Sequence, residues 1–273
     1  MKHKRLSEEG FGEKGNYTII LPIDQGIEHG PVDAFHATDH PEMLDIDYQV
    51  DYIAELLHEG LVGGTALPKR TANLLCEKYP HLAKDVIMKL NHGNNLNAKL
   101  APSQAVYATT SDAKDKHMGG VGYTIYPGSS NQDEMIDYFG RVQQLLNRAW
   151  RDNDLKTVLW SYPRGGDFEE NSLKTIMHAA YIAAQLEPDV IKVKLPVNAK
   201  SSSDVSNVIK AACGIPVIFS GGAYTGPDLL LKEAKLIAES GGYGMILGRN
   251  VFQRNPAEAK NLLRDVHKIF RES

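Results

Sequence analysis

Cysteine is scarce in this chain: Cys76 and Cys213 stand far apart and form no CxxC pair. That excludes a disulfide framework and a thiolate metal knuckle, and it fits a reducing, cytoplasmic setting. No apolar run approaches the roughly 20 residues that span a bilayer. The N-terminal stretch MKHKRLSEEGFGEKGN carries basic residues but runs into charges and glycines instead of an apolar core. It reads as a short extension over residues 1–16 and not as a signal peptide. A dense basic run is missing too, and the net charge is −4, so the electrostatic footprint of a nucleic-acid binder is absent. Neither nucleic acid nor a membrane is an expected partner, and any anionic ligand must be held by local groups.

What is present is an ordinary globular composition, 42% hydrophobic and 23% charged over 273 residues. Such a length suits one large α/β barrel or two modest domains. Eight strand-like runs recur: YTIILPID (17–24), LVGGTAL (61–67), DVIMKLN (85–91), VGYTIYPG (121–128), TVLWSYP (157–163), DVIKVKLP (189–196), IPVIFSGG (215–222) and GYGMILG (242–248). Between them, apolar residues repeat at three and four near 43–58, 70–79, 111–118, 131–152, 168–187, 202–212, 227–240 and 256–271, which predicts helices. Ser202 or Ser203 is placed to cap the sixth helix, while Pro227 and Pro256 suit the first turns of the seventh and eighth. Eight βα units in about 250 residues match a (β/α)8 barrel; an open doubly wound sheet more often uses five to seven strands. No linker divides the chain, so residues 1–273 read as one barrel domain, with 92–110 a longer excursion after the third strand.

In such a barrel, chemistry collects where strand C-termini meet the βα loops. In DVIKVKLP, alternation puts Lys192 and Lys194 on one face and Ile191 and Val193 on the other. If the apolar pair meets the helices, both lysines face the interior, where burial lowers a lysine's pKa and makes it a Schiff-base nucleophile. The plain alternative is one lysine paired with a carboxylate and the other reaching solvent. Asp24 ends the first strand ahead of Gly26, with Glu28, His29 and Gly30 following; it could relay a proton or merely cap a loop. Trp160, Tyr162 and Arg164 alternate at the end of the fifth strand and could stack on, protonate and charge-pair with a ligand. The last two strands end in SGG (Ser220, Gly221, Gly222) and LGRN (Gly248, Arg249), glycine turns suited to a phosphate. His29, His36 and His40 offer a rival metal site, but their segment is proline-interrupted; they read as surface loop residues. The polar NHGNNLN stretch (91–97) could reach the site without identifying any chemistry.

With DQGIEHGP, VGYTIYPGS, WSYPRGG, DVIKVK, SGG and GRNVFQR in this order, the chain resembles the archaeal-type class I fructose-bisphosphate aldolases, related to the DhnA proteins. The likeness runs from about residue 17 to the C-terminus. It implies a (β/α)8 barrel that cleaves fructose 1,6-bisphosphate through a lysine Schiff base, with no metal or other cofactor, in large homo-oligomers that are often decamers. It implies Lys192 as the Schiff-base lysine, Tyr162 as general acid/base and Asp24 as the aspartate of the first motif. Trp160 and Arg164 would then line the site, and Ser220, Gly221, Gly222, Gly248 and Arg249 would bind phosphate. Only the resemblance ranks Lys192 above Lys194, leaving the latter as a pKa-lowering neighbour or phosphate contact. Two departures stand out: Gln25 replaces the usual histidine, and no lysine follows SGG until Lys232. Three other readings stay open: a Schiff-base transaldolase-type synthase of the 2-amino-3,7-dideoxy-D-threo-hept-6-ulosonate kind, a metal-dependent aldolase, and a non-catalytic sugar-phosphate sensor.

Overall fold

The computed structural model describes residues 17–35, 39–96, 102–149 and 154–273; the expected 1–16 extension and His36 lie outside them. Strands are β1 (Thr18–Pro22), β2 (Gly64–Leu67), β3 (Val86–Lys89), β4 (Asn91–His92), β5 (Ala105–Val106), β6 (Gly120–Ile125), β7 (Lys156–Ser161), β8 (Val190–Lys194), β9 (Val217–Ser220) and β10 (Gly244–Ile246). Helices are α1 (Gln25–His29), α2 (Pro31–Phe35), α3 (Ile46–His58), α4 (Lys69–Lys78), α5 (Thr110–Asp115), α6 (Gln132–Asn147), α7 (Leu173–Ala184), α8 (Ser202–Ala211), α9 (Pro227–Glu239), α10 (Arg249–Phe252) and α11 (Pro256–Glu272). Eight parallel strands close in the order β1-β10-β9-β8-β7-β6-β3-β2, with helices outside. This is the expected (β/α)8 barrel, and each of the eight strand-like runs supplies one of its strands.

Strand alternation sorts the core into two layers. Outward residues such as Ile19, Leu21, Met88, Leu159, Ile191, Val193 and Phe219 pack under the helices. Inward residues Ile20, Ala66, Ile87, Val158, Trp160, Val190, Ile218 and Ile246 fill the barrel. The strands are thus buried on both faces, as a parallel sheet covered by helices requires.

Sequence and structure differ in local detail. The 92–110 excursion folds back as the antiparallel pair β4–β5, and the one-turn helices α1, α2 and α10 follow strand ends or loops where no helix was expected. The cap of α8 is Ser201 and not Ser202 or Ser203: Ser201 Oγ accepts from Asp204 N–H while the Asp204 carboxylate accepts from Ser201 N–H. Among three adjacent serines, the acidic residue at N3 selects the partner for this reciprocal box. His40 is not a surface residue. It is buried, with Nδ1 3.0 Å from the Phe252 carbonyl and Nε2 2.9 Å from the Tyr48 hydroxyl.

The closing seam has one tight point. Gly244 pairs with Thr18 across β10 and β1 at φ 139°, and a Cβ there would lie 1.8 Å from the Thr18 carbonyl oxygen. Gly244→Ala should therefore cost about 3 kcal/mol of stability through backbone displacement, read as a lowered urea midpoint.

Candidate active site

A cavity of about 600 Å³ opens at the C-terminal ends of the strands, within the range of small-molecule sites. Asp24, Trp160, Tyr162, Arg164, Lys192, Ser220, Gly221, Gly222, Gly248 and Arg249 all line it. The structure thus brings together every site residue expected from the sequence, along with Gln25, Glu28, His92 and Lys194.

Lys192 sits on β8 with only 6% of its surface exposed. Its Nζ lies 5.2 Å from the Trp160 ring centroid and 5.1 Å from that of Tyr162. Burial depresses its pKa first and the positive charges of Lys89 and Arg164 add to this, while Asp24 and Glu28 oppose it; the result is about 7. At neutral pH about half such amines are uncharged, against about one in 3,000 for an ordinary lysine. Lys194, one pleat nearer the mouth, is only half-buried, and its pKa is also lowered, by burial, Arg164 and Arg249. The like-charged neighbours of Lys192 are thus Lys89 and Arg164; Lys194 faces the rim.

Asp24 follows β1 and precedes α1, yet its side chain makes no cap hydrogen bond. Its carboxylate lies 3.5 Å from His92 Nε2 instead. Burial would raise its pKa, but the hydrogen bond with His92 and the charges of His92, Lys89 and Lys192 outweigh this and hold it below the carboxylate range. Asp24 is therefore an anion throughout the neutral range. Tyr162 is pushed the other way, chiefly by burial, so its phenol stays protonated despite a hydrogen bond with Ser220. Arg164 donates to Glu28 Oε1 at 2.7 Å and lies over the rings of Tyr126 and Tyr162. Trp160 forms the floor, 1% exposed.

Sequence reasoning missed Lys89, for which the lysine within DVIMKLN was the one available signal. Glu28 stood there only as a loop residue after Asp24, and the NHGNNLN stretch does reach the site, through His92. The glycine loop after β9 is held from α10. Asn250 Nδ2 donates to the carbonyls of Gly221 and Ala223, both at 2.9 Å, and its Oδ1 accepts from Thr225 N–H at 2.9 Å. Arg254 Nε donates to the Asn250 carbonyl at 3.0 Å, and the guanidinium also binds the Thr225 carbonyl and packs 4.6 Å from the Tyr224 ring. Gly221 N–H donates to the Ile246 carbonyl at 3.2 Å, so Gly221 contributes close packing, not a free donor. Gly222, at φ 67°, turns the loop back toward the mouth. A Cβ at Gly248 would lie 2.6 Å from Gln25 Nε2, so any side chain there would push the Gln25 amide aside. Lys232 does not line the cavity, whereas Arg164, Lys194 and Arg249 do. Among the described residues, no three His, Cys, Asp or Glu side chains are grouped to hold a metal ion.

A parallel barrel with a buried amine of depressed pKa and glycine loops at its rim suits an aldolase of the Schiff-base type. A DeoC/LacD family aldolase model matches residues 18–254, and the chain belongs to that family. It is 33% identical over 249 residues to the class 1 fructose-bisphosphate aldolase of Thermoproteus tenax, covering 90% of this chain and 87% of that protein. It is 36% identical over 241 residues to the Halobacterium salinarum enzyme of the same name, covering 86% and 84%. A crystal structure of an archaeal fructose 1,6-bisphosphate aldolase superposes with a TM-score of 0.83 at 29% identity, covering 99% of each chain. Another archaeal aldolase, with its catalytic lysine covalently bound to the carbinolamine intermediate, gives 0.82 at 30% identity over 98% of each chain.

Removing the Asn250 amide leaves two loop carbonyls and one N–H without their partner. Asn250→Ala should speed hydrogen exchange at the 221–226 amides roughly tenfold to a hundredfold, measured by mass spectrometry, with the barrel strands unaffected.

Proposed function

We propose that this protein is a class I fructose-bisphosphate aldolase, cleaving fructose 1,6-bisphosphate reversibly to dihydroxyacetone phosphate and glyceraldehyde 3-phosphate. The observation that carries this reading is the buried Lys192 amine, 5.1 Å from the Tyr162 ring centroid, whose pKa falls to about 7 even though the Asp24 charge opposes the shift. The named relatives support the choice of substrate.

In the proposed reaction, neutral Lys192 attacks the C2 carbonyl, and Asp24 carries the proton from nitrogen to oxygen to give the carbinolamine. Tyr162 gives its phenolic proton to the departing hydroxyl, water leaves, and an iminium stands beside a phenolate. That phenolate takes the C4 hydroxyl proton as the C3–C4 bond breaks, and the bonding pair flows into the iminium as an enamine. Glyceraldehyde 3-phosphate departs. Tyr162 returns the proton to C3, and the phenolate left behind takes a proton from the water that adds to the new iminium. The carbinolamine passes its hydroxyl proton to nitrogen through Asp24, so that dihydroxyacetone phosphate leaves with Lys192 and Tyr162 both restored. The lysine iminium is the electron sink that a metal ion would otherwise provide. Ser220, Gly222 and Gly248 with Arg249 would hold one phosphate, Gly221 shaping their loop; Lys194 and Arg164 would serve the other end. Trp160 supports the lysine from below. Binding energy from the distant phosphates orients the reacting carbons and so contributes to kcat as well as to KM.

Free Cys76 and Cys213 suit a cytoplasmic enzyme, and among the described residues no helix is long and apolar enough to cross a membrane. Exposed Val32, Tyr181, Val197 and Leu229 are consistent with a homo-oligomer, a decamer on the family resemblance.

Fructose 1,6-bisphosphate should be cleaved without any second acceptor, which a transaldolase-type synthase would require. Borohydride reduction with dihydroxyacetone phosphate should modify Lys192; an adduct that persists in Lys192→Met would refute the assignment. Trapping should rise as pH rises through about 7, because only the uncharged amine attacks. Tyr162→Phe should lower kcat by roughly 10²–10⁴-fold, with Lys192 still the residue modified.

A further inference from the structure

The reaction above leaves one buried charge without a role. Lys89 ends β3, is 1% exposed, and does not line the cavity. Its Nζ donates to Thr124 Oγ1 at 2.5 Å and lies 4.0 Å from the Trp160 ring centroid. Its stem runs past Gly122, where a Cβ would come within 3.2 Å of Lys89 Cδ and 2.3 Å of the Trp160 ring. The slot that admits both the indole and the lysine therefore exists because residue 122 has no side chain. Burying an ammonium costs several kcal/mol unless something compensates, so a purely structural use of this position would be served better by an apolar residue.

We infer that Lys89 is a positioning residue for the reaction: from beneath the pocket it keeps the positive charge against Asp24 and the Trp160 indole, and so leaves Lys192 as the uncharged nucleophile. The inference rests on the Schiff-base reading of Lys192. Geometry decides which amine keeps the proton. Lys89 has a hydroxyl acceptor and the closer approach to an indole face, which favours a cation; Lys192 lies 5.2 Å from the same ring. The other charged or titratable groups around Lys192 are Asp24 and Glu28 after β1, His92 on β4, Tyr162 and Arg164 at the end of β7, and Lys194 on its own strand. Glu28 is engaged by Arg164 at 2.7 Å, so Asp24 is the carboxylate that both amines share. The tendencies agree, since Lys89, depressed by burial but supported by Asp24 and Glu28, reaches about 8 against about 7 for Lys192.

Removing Lys89 takes away a like charge and leaves Asp24 to Lys192 alone, which favours the protonated, unreactive amine. The test is borohydride trapping with dihydroxyacetone phosphate from about pH 5 to about pH 10, with peptide mapping, on the wild-type enzyme, Lys89→Met and Thr124→Val. The expected wild-type adduct is on Lys192. Lys89→Met should keep the adduct there but move the midpoint up by at least about one pH unit, so that trapping at neutral pH falls about tenfold and recovers in alkali. Thr124→Val, which removes the acceptor of the Lys89 ammonium at nearly constant volume, should move it the same way by less. A natively folded Lys89→Met whose midpoint is unmoved, with trapping reduced equally at every pH, would show a structural role and overturn the inference. Should Lys89→Met fail to fold, the midpoint of Thr124→Val decides by the same criterion. A wild-type adduct on Lys89, or none at all, would instead defeat the Schiff-base reading on which this one rests.

Discussion

The site depends on a shortage of negative charge inside the barrel. Two amines, Lys89 and Lys192, are sealed among apolar strands, and the Glu28 carboxylate nearby is already held by Arg164 at 2.7 Å. Asp24 is left to serve both. A low-dielectric interior does not tolerate uncompensated charge, so the inexpensive resolution is for one amine to shed its proton. On the proposed reading, the nucleophile arises from an imbalance of charge and not from a dedicated base beside it. His92, against the Asp24 carboxylate, reinforces the imbalance by engaging part of that single anion.

Parallel-barrel geometry makes this arrangement possible. Alternation puts every second residue of β3, β6, β7 and β8 inward, so Lys89, Gly122, Thr124, Trp160 and Lys192 meet although they come from four strands. The register pairs Trp160 with both Thr124 and Lys192. Their large and small side chains interlock in one layer, and Gly122 is the vacancy that the indole fills. The rim works differently. There the backbone itself has to be shaped, and irregular loops hold a shape only when their polar groups are paired. Asn250 on α10 and Arg254 just after it supply that pairing, which couples the loop after β9 to the loop after β10 at the rim of the cavity.

Much of this was legible in the sequence because period-two alternation is a strong local signal. The eight barrel strands follow from their apolar, β-branched runs, and alternation within those runs gives the shared face of Lys192 and Lys194 and of the Trp160–Tyr162–Arg164 trio. What remained hidden depends on distance along the chain or on choices between equals. Glu28 and Arg164 are 136 residues apart, and no local pattern announces their pairing. Lys192 and Lys194 satisfy the same alternation, so depth in the barrel, which spacing does not encode, separates them. Lys89 was readable in principle: a lysine at an inward position of DVIMKLN carries the same signal as the pair in DVIKVKLP. It stands alone, without the paired repeat that draws attention to DVIKVKLP. His40 was misjudged because its proline-rich surroundings look exposed, while its partners, the Phe252 carbonyl and Tyr48 hydroxyl, come from elsewhere in the fold.

The same shortage of charge bears on the proposed chemistry after the first step. Once the iminium forms, the Lys192 nitrogen carries the positive charge that the resting site avoids. Asp24, an anion again once it has passed the first proton on, then faces a fixed cation in place of a neutral amine. Their attraction is therefore stronger in the intermediate than in the free enzyme, and an interaction that grows along the reaction path lowers its barrier. The Tyr162 phenol behaves in parallel. Burial makes its phenolate costly in the empty site, but beside an iminium the phenolate is half of an ion pair, so the raised pKa becomes basicity available when the C4 proton must leave. In both groups the resting enzyme holds a charge state that only the covalent intermediate satisfies, and the proton lost by Lys192 at the outset is what leaves room for that intermediate to form.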